Sequence, residues 1–323
     1  MKNILITGIT GQDGLFLSKL LLENTDFNIF GISRKKSPKK FFENLKLIGI
    51  DNISRLNVVN CNLNNSYEVK KLLVETNPTQ IFNLTGPSSV YQSLLDNNQT
   101  KNEIINIFNN LISTLLEIDI KPDFFQASSS EMFGPNNSET LDENSNFIPN
   151  SPYAEAKLIN HQIISQFANQ HNWNIKSGIM FNHESEFRDR NYLFNKIISS
   201  AYQIYIGSLN ILKIGSLEYS RDWTFAGDMM SAAYQIINFG SKESYVIGSG
   251  KSHTIKYLIE NVFDFFGLNW EQFIEVDESL LRKNDPKEIV CNPSRIQNEL
   301  NWKPEMTFED LVYRCVTKFC DNF

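Results

Sequence analysis

The chain has 323 residues, 41% of them hydrophobic and 24 of them Phe, enough apolar material for a large core in one large domain or two moderate ones. A formal charge of −7 and a pI near 5.3 exclude a global basic field that would draw it onto nucleic acid or anionic lipid. No uninterrupted apolar run approaches the roughly 20 residues a membrane helix needs.

Met1-Lys2 runs straight into a β-like segment and lacks the pattern of a signal peptide, so a cytoplasmic protein is expected. Residues 3–7 are the first strand, and 13–23 carry Leu15, Phe16, Leu20 and Leu21 at the spacing of a helix packed on a sheet. Strands follow at 27–32, 55–59, 80–84 and 123–127, with helices at 67–76 and 102–118. This alternation predicts an α/β fold of Rossmann type: a doubly wound parallel sheet with ligand at the carboxyl ends of its strands. Beyond residue 180 the pattern loosens, apart from a helical stretch at 255–266. We expect 1–180 to form a dinucleotide-binding domain, with returning segments around 210–250, and 181–323 to form largely a smaller mixed α/β substrate domain. Cys61, Cys291, Cys315 and Cys320 show no paired spacing and are expected to be free thiols. His161, His171 and His253 have no metal spacing and are expected to pack in the core or lie on the surface.

Gly8-Ile9-Thr10-Gly11-Gln12-Asp13-Gly14 stands between the first strand and the first helix. Glycines at this junction permit a tight turn and let backbone N–H groups approach a pyrophosphate at the helix N-terminus. The second strand ends in Ser33-Arg34-Lys35-Lys36, where an NAD enzyme usually carries an acidic residue for the ribose; the basic side chains favour a 2′-phosphate, hence NADP. Asn62, after the third strand, is either an adenine contact or a plain turn residue.

Tyr153-Ala154-Glu155-Ala156-Lys157 places a phenol and an ammonium on one helix face. The ammonium favours the phenolate, which can exchange a proton with a sugar hydroxyl as hydride moves. Ser129 closes the fifth strand, where its hydroxyl can hold the same substrate oxygen. Glu131, two residues on, is the discriminating group: simple dehydrogenation needs no extra carboxylate, whereas loss of water needs a carrier for the proton beside a new ketone.

Taken together these segments resemble the GDP-mannose 4,6-dehydratase family of extended short-chain dehydrogenases/reductases over nearly the whole chain. "ILITGITGQDG", "GISRKKS", "QASSSEMFG", "SPYAEAK", "GIMFNHES", "SRDW" and "NWKPE" carry the likeness, the fifth most specifically. The resemblance implies a lyase that holds NADP and dehydrates a GDP-hexose, with Ser129, Glu131, Tyr153 and Lys157 as the catalytic set. It implies further cofactor contacts at Leu63, Leu84, His183 and Arg188, and nucleotide-sugar contacts at Ser88, Asn182, Lys196, Arg221 and Arg282. It also implies a homodimer or homotetramer with contacts near the Arg34 turn. The chain departs from the family where AQSHV becomes Gly86-Pro87-Ser88-Ser89-Val90, where an Asp becomes Asn62, where Pro-Arg-Arg-Gly becomes Glu186-Phe187-Arg188-Asp189, and where an Arg becomes Ser199. These changes leave the exact sugar open. A GDP-heptose dehydratase, an NADPH-dependent 4-reductase or epimerase, and a catalytically silent NADP-binding protein are the competing readings.

Overall fold

The computed structural model describes residues 2–34, 38–87, 89–96, 98–135, 140–281 and 285–321. Seven parallel strands form its central sheet: β1 (Asn3–Thr7), β2 (Asn28–Ser33), β3 (Leu56–Asn60), β4 (Gln80–Asn83), β5 (Asp123–Ser129), β6 (Ile175–Met180) and, from much later in the chain, Ser244–Ile247. Across the sheet the order is Ser244–Ile247, β6, β5, β4, β1, β2, β3, every neighbouring pair being parallel. The chain winds outward from β1 to β3, then returns to the other side of β1 at β4, so a crevice opens at the carboxyl ends of β1 and β4.

Helices bury both faces, which is why the strands read as continuous apolar runs. In β1, Ile4 and Ile6 face one core with Leu15, Leu21 and Met229, while Leu5 faces another with Leu73, Phe108 and Leu111. The helices involved are α1 (Gln12–Asn24), α2 (Lys39–Leu47), α3 (Ser66–Thr76), α4 (Val90–Leu95), α5 (Gln99–Glu117), α6 (Pro152–His171), α7 (Leu193–Tyr205), α8 (Ala226–Phe239), α9 (Ile255–Phe265), α10 (Ser294–Leu300) and α11 (Phe308–Cys320). A further apolar cluster gathers α7, α9 and α11 around Trp223, Phe263 and Phe308.

The doubly wound architecture agrees with the sequence expectation, and the first five strands fall within two residues of their expected bounds. β6 was not anticipated, because its sequence Ile-Lys-Ser-Gly-Ile-Met has no apolar run. Its polar residues are absorbed locally: Ser177 Oγ donates to Ser128 Oγ at 2.8 Å and meets His161 Nδ1 at 2.8 Å, while Gly178 makes room for Phe125 and Ile247. Burial pushes the His161 imidazole down to about 4, so it is a neutral core histidine. The four cysteines are free. Among the described residues no helix is long and apolar enough to cross a membrane, and no cluster of His, Cys, Asp and Glu has the makings of a metal site.

In the second half, a short strand at Ser220–Arg221 pairs with His253–Thr254 and with Glu288–Ile289. The next residue, Asp222, is fully buried and gathers three segments: its carboxylate accepts from Ser249 N–H (2.9 Å), Ser249 Oγ (2.6 Å), Gly250 N–H (2.9 Å) and Cys291 N–H (3.3 Å).

Candidate active site

A cavity of about 490 Å³ opens at the carboxyl ends of β4, β5 and β6, roofed by the start of α7, by the segment around residues 213–221 and by Leu280, Leu281 and Asp285. It brings together Asp13, Leu84, Ser129, Glu131, Tyr153, Lys157, Asn182, His183, Arg188, Lys196 and Arg221, all expected from the sequence.

The floor is built from buried polar groups at the strand ends. Thr7 Oγ1 donates to Asn83 Oδ1 (2.6 Å), Asn83 Nδ2 to Gln126 Oε1 (2.7 Å), and Gln126 Nε2 to Ala127 O (2.9 Å). The Ala127 carbonyl also accepts from Lys157 Nζ at 2.8 Å. This chain crosses β1, β4 and β5 and fixes the lysine, which burial brings down to about 8 against the opposing charge of Asp13. Lys157 Nζ stands 5.7 Å from the centre of the Tyr153 ring.

Helix α6 starts sharply, because Ser151 caps it by accepting from Ala154 N–H at 3.1 Å and Pro152 opens its first turn. Tyr153 therefore sits in the first turn, and its phenol hydrogen-bonds Ser129. Burial pushes this phenol up to about 12, helped by the Glu131 carboxylate and Tyr192; Ser129 and the Arg188 guanidinium pull the other way. Glu131 lies in a single 3-10 turn, Ser130–Phe133, that Ser129 caps by accepting the Glu131 N–H at 3.3 Å. Hydroxyl, carboxylate and phenol thus face one space.

The glycine loop lies beside this set. Gly8 has φ +71°, and a Cβ there would come 2.8 Å from Leu84 O; a Cβ on Gly14 would strike the Ile9 backbone at 2.4 Å. Gly11 caps α1 without a side-chain acceptor, which leaves the first-turn N–H groups open to an anion. Thr85 Oγ1 is buried with no hydrogen-bond partner. A loop shaped for glycine, a bare helix start and an unsatisfied hydroxyl beside the cavity suit a dinucleotide.

The other expected residues are more dispersed. Thr10 is exposed in the loop, while Gln12 ties it down, donating from Nε2 to His183 O (3.0 Å) and accepting at Oε1 from Ser185 Oγ (2.7 Å). Arg34 is exposed at the end of β2, with Nη1 3.3 Å from Glu103 Oε1. Asn62 Oδ1 accepts from Asn64 N–H at 3.1 Å, and Leu63 is buried in the core. Ser88 and Arg282 lie outside the described residues.

Residues 5–315 match the family model described as GDP-mannose 4,6 dehydratase. The chain belongs to the GDP-mannose 4,6-dehydratase family, a family of hydro-lyases. GDP-mannose 4,6 dehydratase 1 of Arabidopsis thaliana is 31% identical, covering 96% of this chain and 88% of the plant protein. The Homo sapiens GDP-mannose 4,6 dehydratase is 30% identical, covering 97% and 90% respectively. The fold also matches a dTDP-glucose 4,6-dehydratase from Streptomyces venezuelae, solved with NAD bound, at a TM-score of 0.86 and 19% identity, over 99% of this chain and 97% of that one.

Within this family member, two departures from the family pattern find different uses. Glu186 is buried away from the cavity, where Arg314 of α11 holds it with Nη2 at 2.6 Å and Nε at 3.1 Å. Pro87 and Ser89, by contrast, line the cavity. Several site residues escaped the sequence reading. Asp285 holds Arg221 Nη2 at 3.0 Å, and Tyr192 carries the Arg188 guanidinium 3.7 Å from its ring centre. Neither stands in a motif. Glu184 lies inside the NHES string and could have been found there; its carboxylate is 3.7 Å from Arg188 Nε.

Asp13 and His183 form an ion pair at 3.1 Å, with His183 Nδ1 donating to Phe181 O at 2.8 Å. Burial alone would raise Asp13, yet the imidazolium holds it below its usual 3.8; burial alone would lower His183, yet Asp13 lifts it above 6.5. The pair therefore stabilises the fold most between about pH 4 and 6.5, and loses that contribution as pH rises through the raised histidine value or falls through the lowered aspartate value. Asp13→Asn is expected to cost about 1.5 kcal/mol near pH 5.5, the scale of one charged hydrogen bond. In urea denaturation of both proteins across pH 5–9, the difference should shrink as pH rises. A difference independent of pH would mean that the imidazole is neutral throughout.

Proposed function

We propose that this protein converts a GDP-hexose, with GDP-mannose as the first choice, to its 4-keto-6-deoxy derivative, with NADP as a retained cofactor. The observation that carries the reading is Glu131 facing the same space as the Ser129–Tyr153–Lys157 set. A reductase or epimerase would have no use for that carboxylate.

On this reading Tyr153, as its phenolate, takes the proton of the C4 hydroxyl while Ser129 Oγ holds the same oxygen; burial opposes that phenolate, and the Lys157 ammonium together with the positive nicotinamide ring would favour it. Bound NADP would supply the hydride acceptor for C4 and the hydride donor for C6. The C4 ketone acidifies the C5 proton; Glu131 carries that proton from C5 to the departing C6 hydroxyl, water leaves, and once C6 has regained hydride C5 takes up the proton that Tyr153 drew from the C4 hydroxyl, which returns both groups to their starting states. Arg221 exchanges Asp285 for a diphosphate oxygen, where the guanidinium fork suits phosphate, with Asn182 and Lys196 beside it. The loop from Gly8 to Gly14 and the α1 N-terminus hold the cofactor pyrophosphate. His183 and Arg188 stand next to that loop. Arg34, exposed at the end of β2 where an acidic residue would favour NAD, takes the 2′-phosphate. The division into a cofactor domain of about 1–180 and a substrate domain of about 181–323, and assembly into a dimer or tetramer, belong to the same reading.

A GDP-heptose is the second reading, favoured by Pro87 and Ser89 on the cavity wall where the family pattern differs. Purified protein incubated with GDP-, dTDP-, UDP- and CDP-hexoses and with GDP-heptose, without added reductant, should release a product lighter by one water from one GDP sugar. Stoichiometric consumption of NADPH, or epimerisation without loss of water, would replace the lyase reading by plain redox chemistry.

A further inference from the structure

We propose that Tyr192 determines sugar specificity: its phenolic hydroxyl hydrogen-bonds a hexose hydroxyl that Tyr153, Ser129 and Glu131 do not reach. This rests on the nucleotide-sugar reading above and adds a residue to it.

Tyr192 is held rigidly. It stands at the N-cap of α7, its N–H donates to Asp189 O at 3.1 Å, and its carbonyl accepts from Lys196 N–H at 2.8 Å. Tyr192 lines the cavity, and the Arg188 guanidinium carbon lies over its ring, 3.7 Å from the ring centre. Arg188 is braced in turn by Glu184, Nε lying 3.7 Å from Oε2. The three side chains, four residues apart, make a stack that leaves the ring little freedom. Lys196, one turn further along α7, lines the same cavity. Tyr192 thus shares the cavity with the groups assigned to C4, C5 and C6 and with a group assigned to the nucleotide.

The chemistry at that position calls for a polar partner. A hexose enclosed here brings hydroxyls at C2 and C3 that take no part in the reaction and lose water on entry. Of the three side chains in this stack, the Tyr192 phenol is the one that can both donate a hydrogen bond to and accept one from a sugar hydroxyl. A site built to hydrogen-bond a hydroxyl discriminates against sugars that present it elsewhere, because its own polar group is then left unmatched.

The test compares wild type with Tyr192→Phe, using GDP-mannose, its C2 epimer GDP-glucose, and GDP alone. We expect Tyr192→Phe to lower kcat/KM for the preferred sugar about tenfold, the scale of one neutral hydrogen bond, to narrow the preference between the epimers by a similar factor, and to leave the affinity for GDP unchanged. An unchanged preference would overturn the proposal, as would an equal loss of affinity for GDP and for the sugar nucleotides, which is what a purely structural role would give. Tyr192→Leu, which also removes the ring from Arg188, should show the same narrowed preference with an added loss of kcat. If no sugar loses water with the wild-type protein, the dehydratase reading fails by itself. Calorimetric affinities of the two GDP-hexoses relative to GDP then still decide the role of Tyr192.

Discussion

Glu131→Gln is expected to stop turnover after the first chemical step. The amide keeps the size of the side chain but cannot carry the C5 proton, so the sugar is oxidised at C4 and goes no further. Removing a positioned general acid–base typically costs about 10²–10⁴-fold, and the loss should fall on release of water while sugar binding persists. Incubation with the GDP-hexose that the wild type dehydrates should then give a bound 4-keto sugar of undiminished oxygen count, together with the absorbance of reduced nicotinamide. The geometry favours a clean result: the Glu131 N–H is pinned to Ser129 Oγ, and the turn ends at Gly134, so an amide should leave the Ser129–Tyr153 contact in place. Undiminished 6-deoxy product from Glu131→Gln would take the carboxylate out of the mechanism.

The second large effect concerns stability. Asp222→Ala removes the acceptor shared by three backbone N–H groups and one hydroxyl, all converging on a fully buried carboxylate. Each orphaned buried donor costs about 1–3 kcal/mol, and because relaxation and water make such losses less than additive, the sum should be about 4 kcal/mol. Asp222→Asn keeps one acceptor oxygen but turns the other end into a donor facing donors, for a loss of about 2 kcal/mol. Urea denaturation should show midpoints falling in the order wild type, Asn, Ala with similar slopes. A loss under about 1 kcal/mol in the Ala variant would mean that water already shares these donors. Arg221 is the preceding residue, so folded Asp222→Asn protein should also bind GDP-sugars less tightly.

Much of this was legible in the amino-acid order. The first five strands announce themselves because both faces of a doubly wound sheet are buried and apolar residues must run without interruption. The glycine loop, Tyr153, Lys157, Ser129 and Glu131 are legible because their chemistry needs fixed spacing within one element. Asn182, His183, Arg188, Lys196 and Arg221 were reached through family motifs, since nothing in their local pattern says that segments from residue 182 to residue 221 close over β5. What stayed hidden has a common cause. The Thr7–Asn83–Gln126 chain, the Arg221–Asp285 contact and the Tyr192–Arg188 stack depend on neighbours from different elements or on polar side chains without a motif. β6 was missed for the same reason, its lysine and serine being accommodated by tertiary partners that a local pattern does not show.

The clasp between Glu186 and Arg314 joins α11 to the loop that presents His183, Glu184 and Arg188. The Glu186 side chain is buried in that contact, so Arg314→Ala leaves a carboxylate without its counter-ion and should let the loop breathe while the parallel sheet stays intact. Hydrogen exchange at residues 185–192 would register that loosening long before any loss of the fold.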